Sequence, residues 1–120
     1  MVTIRIKNLR LRTYIGFNDE EREKRQDVVI NVRFRYKADE AAETDDVRYA
    51  VNYRTITKEI IRLVEGGQFL LLERLAAEVL DLVMREPRIL FAEVEVDKPH
   101  ALRFSDSVSA VLTASREAPA

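Results

Sequence analysis

Apolar residues in this chain recur at every second position, then at a helical spacing, then at every second position again. Ile4 and Ile6 alternate with Arg5 and Lys7; Leu9 and Leu11 then alternate with Arg10 and Arg12, so the apolar phase moves from even to odd numbers near Lys7-Asn8. A bulge at that point keeps both halves of one strand facing the core. Gly16 ends the strand, and the charged stretch from Asn18 to Asp27 forms a long connection. Val28, Ile30, Val32, Phe34 and Tyr36 line one face of a second strand, with Asn31, Arg33 and Arg35 on the other. Thr44-Asp45-Asp46 reads as a cap or turn, and Asn52 as the N-cap of a helix in which Ile56, Ile60 and Val64 recur. Gly66-Gly67 closes it, and a second helix with Leu72, Leu75, Val79, Leu82 and Val83 on one stripe stops before Pro87. Strand spacing returns at Ala92, Val94 and Val96 and again at Val108, Ala110 and Leu112, while the tail from Arg116 to Ala120 has no pattern and is expected to fray.

The order ββααββ predicts an α+β fold, a four-stranded antiparallel sheet with two helices on one face. Residues 1–120 are read as a single domain, and 47% hydrophobic with 34% charged residues is ordinary globular composition. The sheet face away from the helices is unusually charged, with Arg33 and Arg35 on one strand and Glu93 and Glu95 on another. It is either a solvated surface with cross-strand pairs or the wet lining of an interior made by several subunits, since an open sheet leaves two edges free to pair.

Composition narrows the chemistry. Twenty basic and twenty-one acidic residues leave a formal charge of -1, so there is no basic footprint for nucleic acid. The absence of cysteine excludes a disulfide framework, a thiolate nucleophile and a Cys-based zinc site, and suits a reducing cytosol. A single histidine, His100, argues against a His-rich metal site or a Ser-His-Asp triad. The first residues show no apolar signal-peptide core, and no apolar run approaches the roughly 20 residues of a membrane span, so a soluble, cytoplasmic protein is expected. Gly-rich phosphate loops, nucleophile elbows and metal motifs are missing from the sequence.

Lys98 follows the alternating run Ala92 to Asp97, and Pro99 stops the strand immediately afterwards. An amine at the end of a rigid strand can hold a proton-transfer group, although most strand-end lysines are simply solvated. Glu20-Glu21-Arg22-Glu23 puts carboxylates in the first connection, Tyr53 follows a helix cap, and Glu73 opens the second helix, where the dipole favours a carboxylate in any case. His100 has the ordinary reading of a turn residue.

Taken together, these residues point further. Tyr14-Ile15-Gly16, Glu21, Thr44-Asp45-Asp46-Val47, Asn52-Tyr53, Leu71-Leu72-Glu73 and Asp97-Lys98-Pro99, in this order of elements, resemble the dihydroneopterin aldolase family over about residues 4 to 115. Within it, residues 5 to 13, Asn52 to Thr55 and His100 to Arg103 look most like the branch that epimerises dihydroneopterin triphosphate at C2', and His100 departs from the glycine that typical aldolases place after Lys-Pro.

The resemblance implies a tunnelling fold, in which four subunits join their sheets into a ring with helices outside and two rings stack into a homo-octamer. The charged sheet face then lines the tunnel, and active sites lie between subunits. Carried over position by position, Glu73 anchors the pterin ring with backbone groups around Leu72, Lys98 is the general acid/base, Tyr53 a hydroxyl partner and Glu21 a carboxylate near the substrate hydroxyls, with Glu20 beside it. The implied chemistry is a retro-aldol cleavage of C1'–C2' that uses the pterin's own imine as electron sink and needs neither metal nor cofactor, with Lys98 shuttling protons if burial lowers its pKa. His100 and Arg103 are candidates to tether the triphosphate, with Lys7 and Arg12 behind them. Aldol cleavage to 6-hydroxymethyl-7,8-dihydropterin is the alternative activity, and a non-catalytic pterin- or purine-binding oligomer is the alternative class.

Overall fold

The computed structural model describes residues 1–118; residues 119–120, the end of the unpatterned tail, lie outside the described residues. Strands β1 (Val2–Ile15), β2 (Gln26–Tyr36), β4 (Phe91–Pro99) and β5 (Ser107–Ser115) pair antiparallel in the spatial order β1-β2-β4-β5. Helices α3 (Tyr53–Glu65) and α4 (Leu72–Met84) cover one face, as the periodicity predicts.

The sheet has a fifth strand that the pattern does not foretell. β3 (Gln68–Phe69) pairs parallel with Tyr14 and Ile15 at the outer edge of β1. Two residues are too few to show a period. The expected connection from Asn18 to Asp27 likewise holds a short helix, α1 (Asp19–Glu23), and another, α2 (Asp39–Thr44), precedes a 3-10 turn at Val47–Tyr49. None of these buries a residue, so none leaves an apolar stripe in the sequence. Local chemistry holds them instead: Asn18 and Glu21 form a capping box, Asp45 ends α2 in the left-handed region, and Asp46 caps the turn.

The phase change in β1 is a bulge. Ile6 pairs with Val32 and Leu9 with Ile30, so β1 spends one residue more than β2 over this interval. Asn8 absorbs it at φ 52°, a region that asparagine tolerates. Its N–H donates to Asn31 Oδ1 at 2.8 Å and Asn31 Nδ2 donates back to Asn8 Oδ1 at 3.3 Å, a side-chain pair standing where the ladder is broken.

Beneath the helices, Leu11, Ile15, Val28, Ile30, Val32, Phe34, Ala92, Val94 and Val96 meet Ile56, Ile60 and Val64 of α3 and Leu75, Val79 and Val83 of α4. Asn52 caps α3 by accepting from the N–H groups of Arg54 and Thr55 at 3.0 and 3.2 Å. On the other sheet face Arg33 is directly opposite Glu93 and binds it through two bonds of 2.6 and 3.2 Å, holding that carboxyl below its usual range. Arg35 stacks over the Phe91 ring at 5.1 Å, and Glu95 stands opposite Asn31. Arg116 N–H donates to Leu90 O at 2.9 Å, fastening the chain just beyond β5.

Leu75 is fully buried between the helix layer and the sheet. Replacing Leu75 with alanine is expected to cost about 2–5 kcal/mol through lost burial and a residual cavity. Urea unfolding should show a lower midpoint at unchanged slope, and an unchanged midpoint would contradict this assignment of the core.

Candidate active site

The side chains of β4 alternate strictly, with Ala92, Val94, Val96 and Lys98 all turned toward the helices. Lys98 is thus the last member of a core stripe, and only 9% of its surface is exposed. An ammonium group in that place requires a partner, because a buried charge without one is costly. Glu21 supplies it, with Lys98 Nζ bonded to Glu21 Oε2.

Three features hold Glu21 in position. The capping box fixes it from within α1: its N–H donates to Asn18 Oδ1 at 2.8 Å, and Asn18 N–H approaches Glu21 Oε1 at 3.5 Å. Gly16, at φ 128°, lets the carboxylate lie against the chain; a Cβ at this position would coincide with that carboxylate. Gln26, the first residue of β2, donates from Nε2 to Ile15 O at 2.7 Å and also acts on the Glu21 carboxyl. The hydrogen bond from Lys98 pulls the Glu21 carboxyl below its usual range; burial opposes this, and the charge of Lys98, the Asn18 backbone and Gln26 add to it. Glu20 points elsewhere and lies 3.9 Å from Lys24, so the capping box selects Glu21 from the acidic run.

Leu72 and Glu73 reach the same end of the sheet. Gly16 N–H donates to Phe69 O at 2.9 Å, and α4 begins three residues past Phe69 with no side chain capping its first turn. Glu73 is exposed there, beside N–H groups with no partner inside the helix. A cleft of about 540 Å³ lies at this junction, lined by Tyr14 and Gly16 of β1, residues of α1, and Gln68 to Leu70. A larger cleft of about 870 Å³ runs along α3 and α4, and neither cleft is lined by Glu21, Leu72, Glu73 or Lys98.

Tyr53 is not part of this cluster. It is the first residue of α3, half exposed, whereas the other end of that helix runs through Gly66 and Gly67 into β3 beside Tyr14. Thirteen helical residues span roughly 20 Å, so Tyr53 stands a helix length from the end where Lys98 and Glu21 meet. His100 and Arg103 follow β4 in the exposed connection to β5. Among the described residues neither bonds to the Lys98–Glu21 pair. Lys7 lies with Arg5 and Arg33 on the polar sheet face, and Arg12 is engaged by Asp27 at 3.4 Å and by Arg25 O at 3.1 Å.

Asn18, Gln26 and the conformation of Gly16 were not singled out from the sequence. Asn18-Asp19-Glu20-Glu21 has capping-box spacing and was legible as such; the role of Gln26 needs the register of β1 and β2.

A buried amine paired with a fixed carboxylate on an α+β scaffold is the apparatus of an acid–base enzyme. The family model of dihydroneopterin aldolase (FolB) matches residues 4–113, and the chain belongs to that family. It is 57% identical over 116 residues to a dihydroneopterin triphosphate 2'-epimerase of Pseudomonas aeruginosa, covering 97% of this chain and 94% of that protein. A dihydroneopterin aldolase of Haemophilus influenzae is 34% identical over 107 residues, covering 89% and 91%. The crystal structure of Escherichia coli dihydroneopterin aldolase in complex with neopterin superposes with a TM-score of 0.91 at 28% identity, over 96% of this chain and all of that one.

The lowered pKa of Glu21 sets a pH dependence. A carboxyl whose folded pKa lies below its ordinary 4.5 stabilises the fold fully above that value, and the contribution disappears as pH falls through the folded pKa. Carbon NMR of the Glu21 carboxyl should titrate below 4.5, and Lys98→Met should move the midpoint upward. A midpoint at or above 4.5 in the unmodified protein would remove the ion pair from the account.

Proposed function

We propose that the protein inverts C2' of 7,8-dihydroneopterin triphosphate, giving dihydromonapterin triphosphate by retro-aldol cleavage and re-addition. The observation that carries this reading is Lys98, an amine held at the end of a core stripe against an ionised carboxylate. The much higher identity to an epimerase than to an aldolase favours inversion over release.

In this reading Glu73 accepts from the paired N–H donors of the 2-amino-4-oxo edge of the pterin, and the free N–H groups around Leu72 meet its carbonyl. Glu21 lies near the side-chain hydroxyls. The 2'-hydroxyl loses its proton, the C1'–C2' bond breaks, and its electron pair moves through C1'=C6 onto N5, which takes up a proton. C2' becomes an aldehyde carrying the phosphorylated carbon. Lys98, directly or through a held water, moves protons between the 2'-hydroxyl and N5. The dihydropterin is its own electron sink, so the scheme calls for no metal or cofactor. If the aldehyde turns and the C1' carbon attacks its other face, C2' is inverted. If the aldehyde leaves and C1' is protonated, the product is 6-hydroxymethyl-7,8-dihydropterin.

Tyr53 serves as hydroxyl partner only if a second copy brings it. The helix-length gap within one chain therefore supports a site shared between subunits, in keeping with a tunnelling fold. The sheet is equipped for it: the outer edge of β5 and most of that of β1 have no partner among the described residues, and the face of Arg5, Arg33, Glu93 and Glu95 is polar enough to line a wet tunnel. The expected assembly is an octamer of the 13.9 kDa chain in two rings. We place it in the cytoplasm, which suits a chain without cysteine.

Incubation with the triphosphate, followed by chromatographic separation of the C2' epimers from hydroxymethyl-dihydropterin, should give the epimer as main product. Hydroxymethyl-dihydropterin as main product makes the protein an aldolase, and turnover of neither dihydroneopterin nor its triphosphate leaves a binding protein. Lys98→Ala is expected to lower the rate by about 10²–10⁴.

Sharing of the site has its own test. Tyr53→Phe and Lys98→Ala chains, each impaired alone, should regain activity when unfolded and refolded together at equal amounts, up to about a quarter of the native sites by random mixing. No recovery despite mixed assembly would place the whole site in one chain.

A further inference from the structure

The loop that follows Lys98 pairs left-handed backbone at two non-glycine residues with an arginine that has no carboxylate partner among the described residues. β4 and β5 remain paired to Lys98↔Val108 and Pro99↔Ser107, so the ladder fixes the base of the loop. Immediately beyond, His100 adopts φ 63° and Phe104 φ 69°, both in the left-handed region where glycine is the inexpensive residue. Neither side chain recovers that cost by packing, since His100 is exposed and Phe104 is 99% exposed. A residue kept in a sparsely populated conformation without packing reward points to use of its side chain or its redirected backbone.

The charges agree. Arg103 has no carboxylate partner among the described residues; its guanidinium lies over the Phe104 ring at 5.2 Å, a loose hold at an exposed position. Arg12, Arg33, Arg48, Arg74 and Arg88 each hold a carboxylate, whereas Arg103 belongs to the arginines that hold none among the described residues. Asp97, at the base of the loop, is occupied by Ser107 Oγ at 3.1 Å, which leaves Asp106 as the loop's own carboxylate. Within the same chain Lys7 lies on the polar sheet face, away from the stripe that ends in Lys98.

We propose that His100 and Arg103 form a polyphosphate subsite that holds the aldehyde fragment after C1'–C2' cleavage. This rests on the epimerase reading and explains how one retro-aldol step ends in inversion and not in release. The phosphates are attached one carbon beyond C2', the atom that Lys98 serves. His100 lies two residues from Lys98, within roughly 7 Å along an extended chain, and Arg103 extends the reach outward with a fork that matches phosphate oxygens. Holding the fragment by its phosphates leaves the aldehyde carbon free to turn while keeping it beside the nucleophilic C1', the condition for re-addition.

The test uses Arg103→Gln and His100→Gly; the second relieves the left-handed strain, so its effect cannot be misfolding. With the triphosphate substrate, kcat/KM should fall about ten- to a hundredfold in Arg103→Gln, and hydroxymethyl-dihydropterin should rise relative to epimer in both variants. With unphosphorylated dihydroneopterin, kcat/KM should stay within about twofold of the parent protein. Inorganic tripolyphosphate should bind the parent protein, read by broadening of its phosphorus NMR lines, and bind Arg103→Gln about tenfold or more weakly. Equal losses for the two substrates overturn the subsite, as does tripolyphosphate binding that Arg103→Gln leaves unchanged. Turnover of neither substrate by the parent protein, with tripolyphosphate binding still dependent on Arg103, removes the epimerase reading and retains the anion site.

Discussion

An ammonium group at the end of a core stripe cannot be left without a counter-charge, and the geometry around the site follows from that requirement. Lys98 occupies the position that strand alternation gives to a buried side chain, so its amine emerges where the apolar layer stops. Glu21 answers it from the other end of the sequence. Gly16 must be a glycine for the carboxylate to lie there, and Asn18 must cap α1 for Glu21 to be aimed. β3 is docked by the N–H of that same glycine, and from it the chain turns into α4 with Leu72 and Glu73 at its start. One electrostatic demand is thereby tied to two loops, a strand pair and a helix entrance.

Much of this was legible before any coordinates. The even-to-odd change in β1 gave the bulge, the four-residue spacing gave Ile56, Ile60 and Val64, and Asn52 gave the start of α3, because each is a repeating or local signal. The elements that escaped are the short ones: α1 and α2, which bury no residue, and β3, whose two residues with Phe69 buried are too few to show a period. α1 and β3 line the cleft beside Gly16, where a capping box and a backbone hydrogen bond hold them. The parity of Lys98 with Ala92, Val94 and Val96 already assigns it to the core face.

Glu21, Lys98, Leu72 and Glu73 gather at one end of the sheet because β1, β3, α4 and β4 bring them there, whereas Tyr53 is carried away along α3 by its own helix geometry. No local spacing rule encodes a separation of that length, which the thirteen residues of α3 set.

The bulge at Asn8 has a consequence of another kind. Because β1 pairs continuously with β2 on both sides of it, the extra residue behaves as a phase shifter: it converts the reading frame of inside and outside without interrupting the strand. Downstream of Asn8 odd-numbered residues address the core and lead to Gly16; upstream, odd-numbered residues address the polar face that Arg5 shares with Arg33 and Glu93. The same parity therefore meets opposite demands on the two sides of Asn8, and the one extra residue keeps a single apolar face along the whole strand.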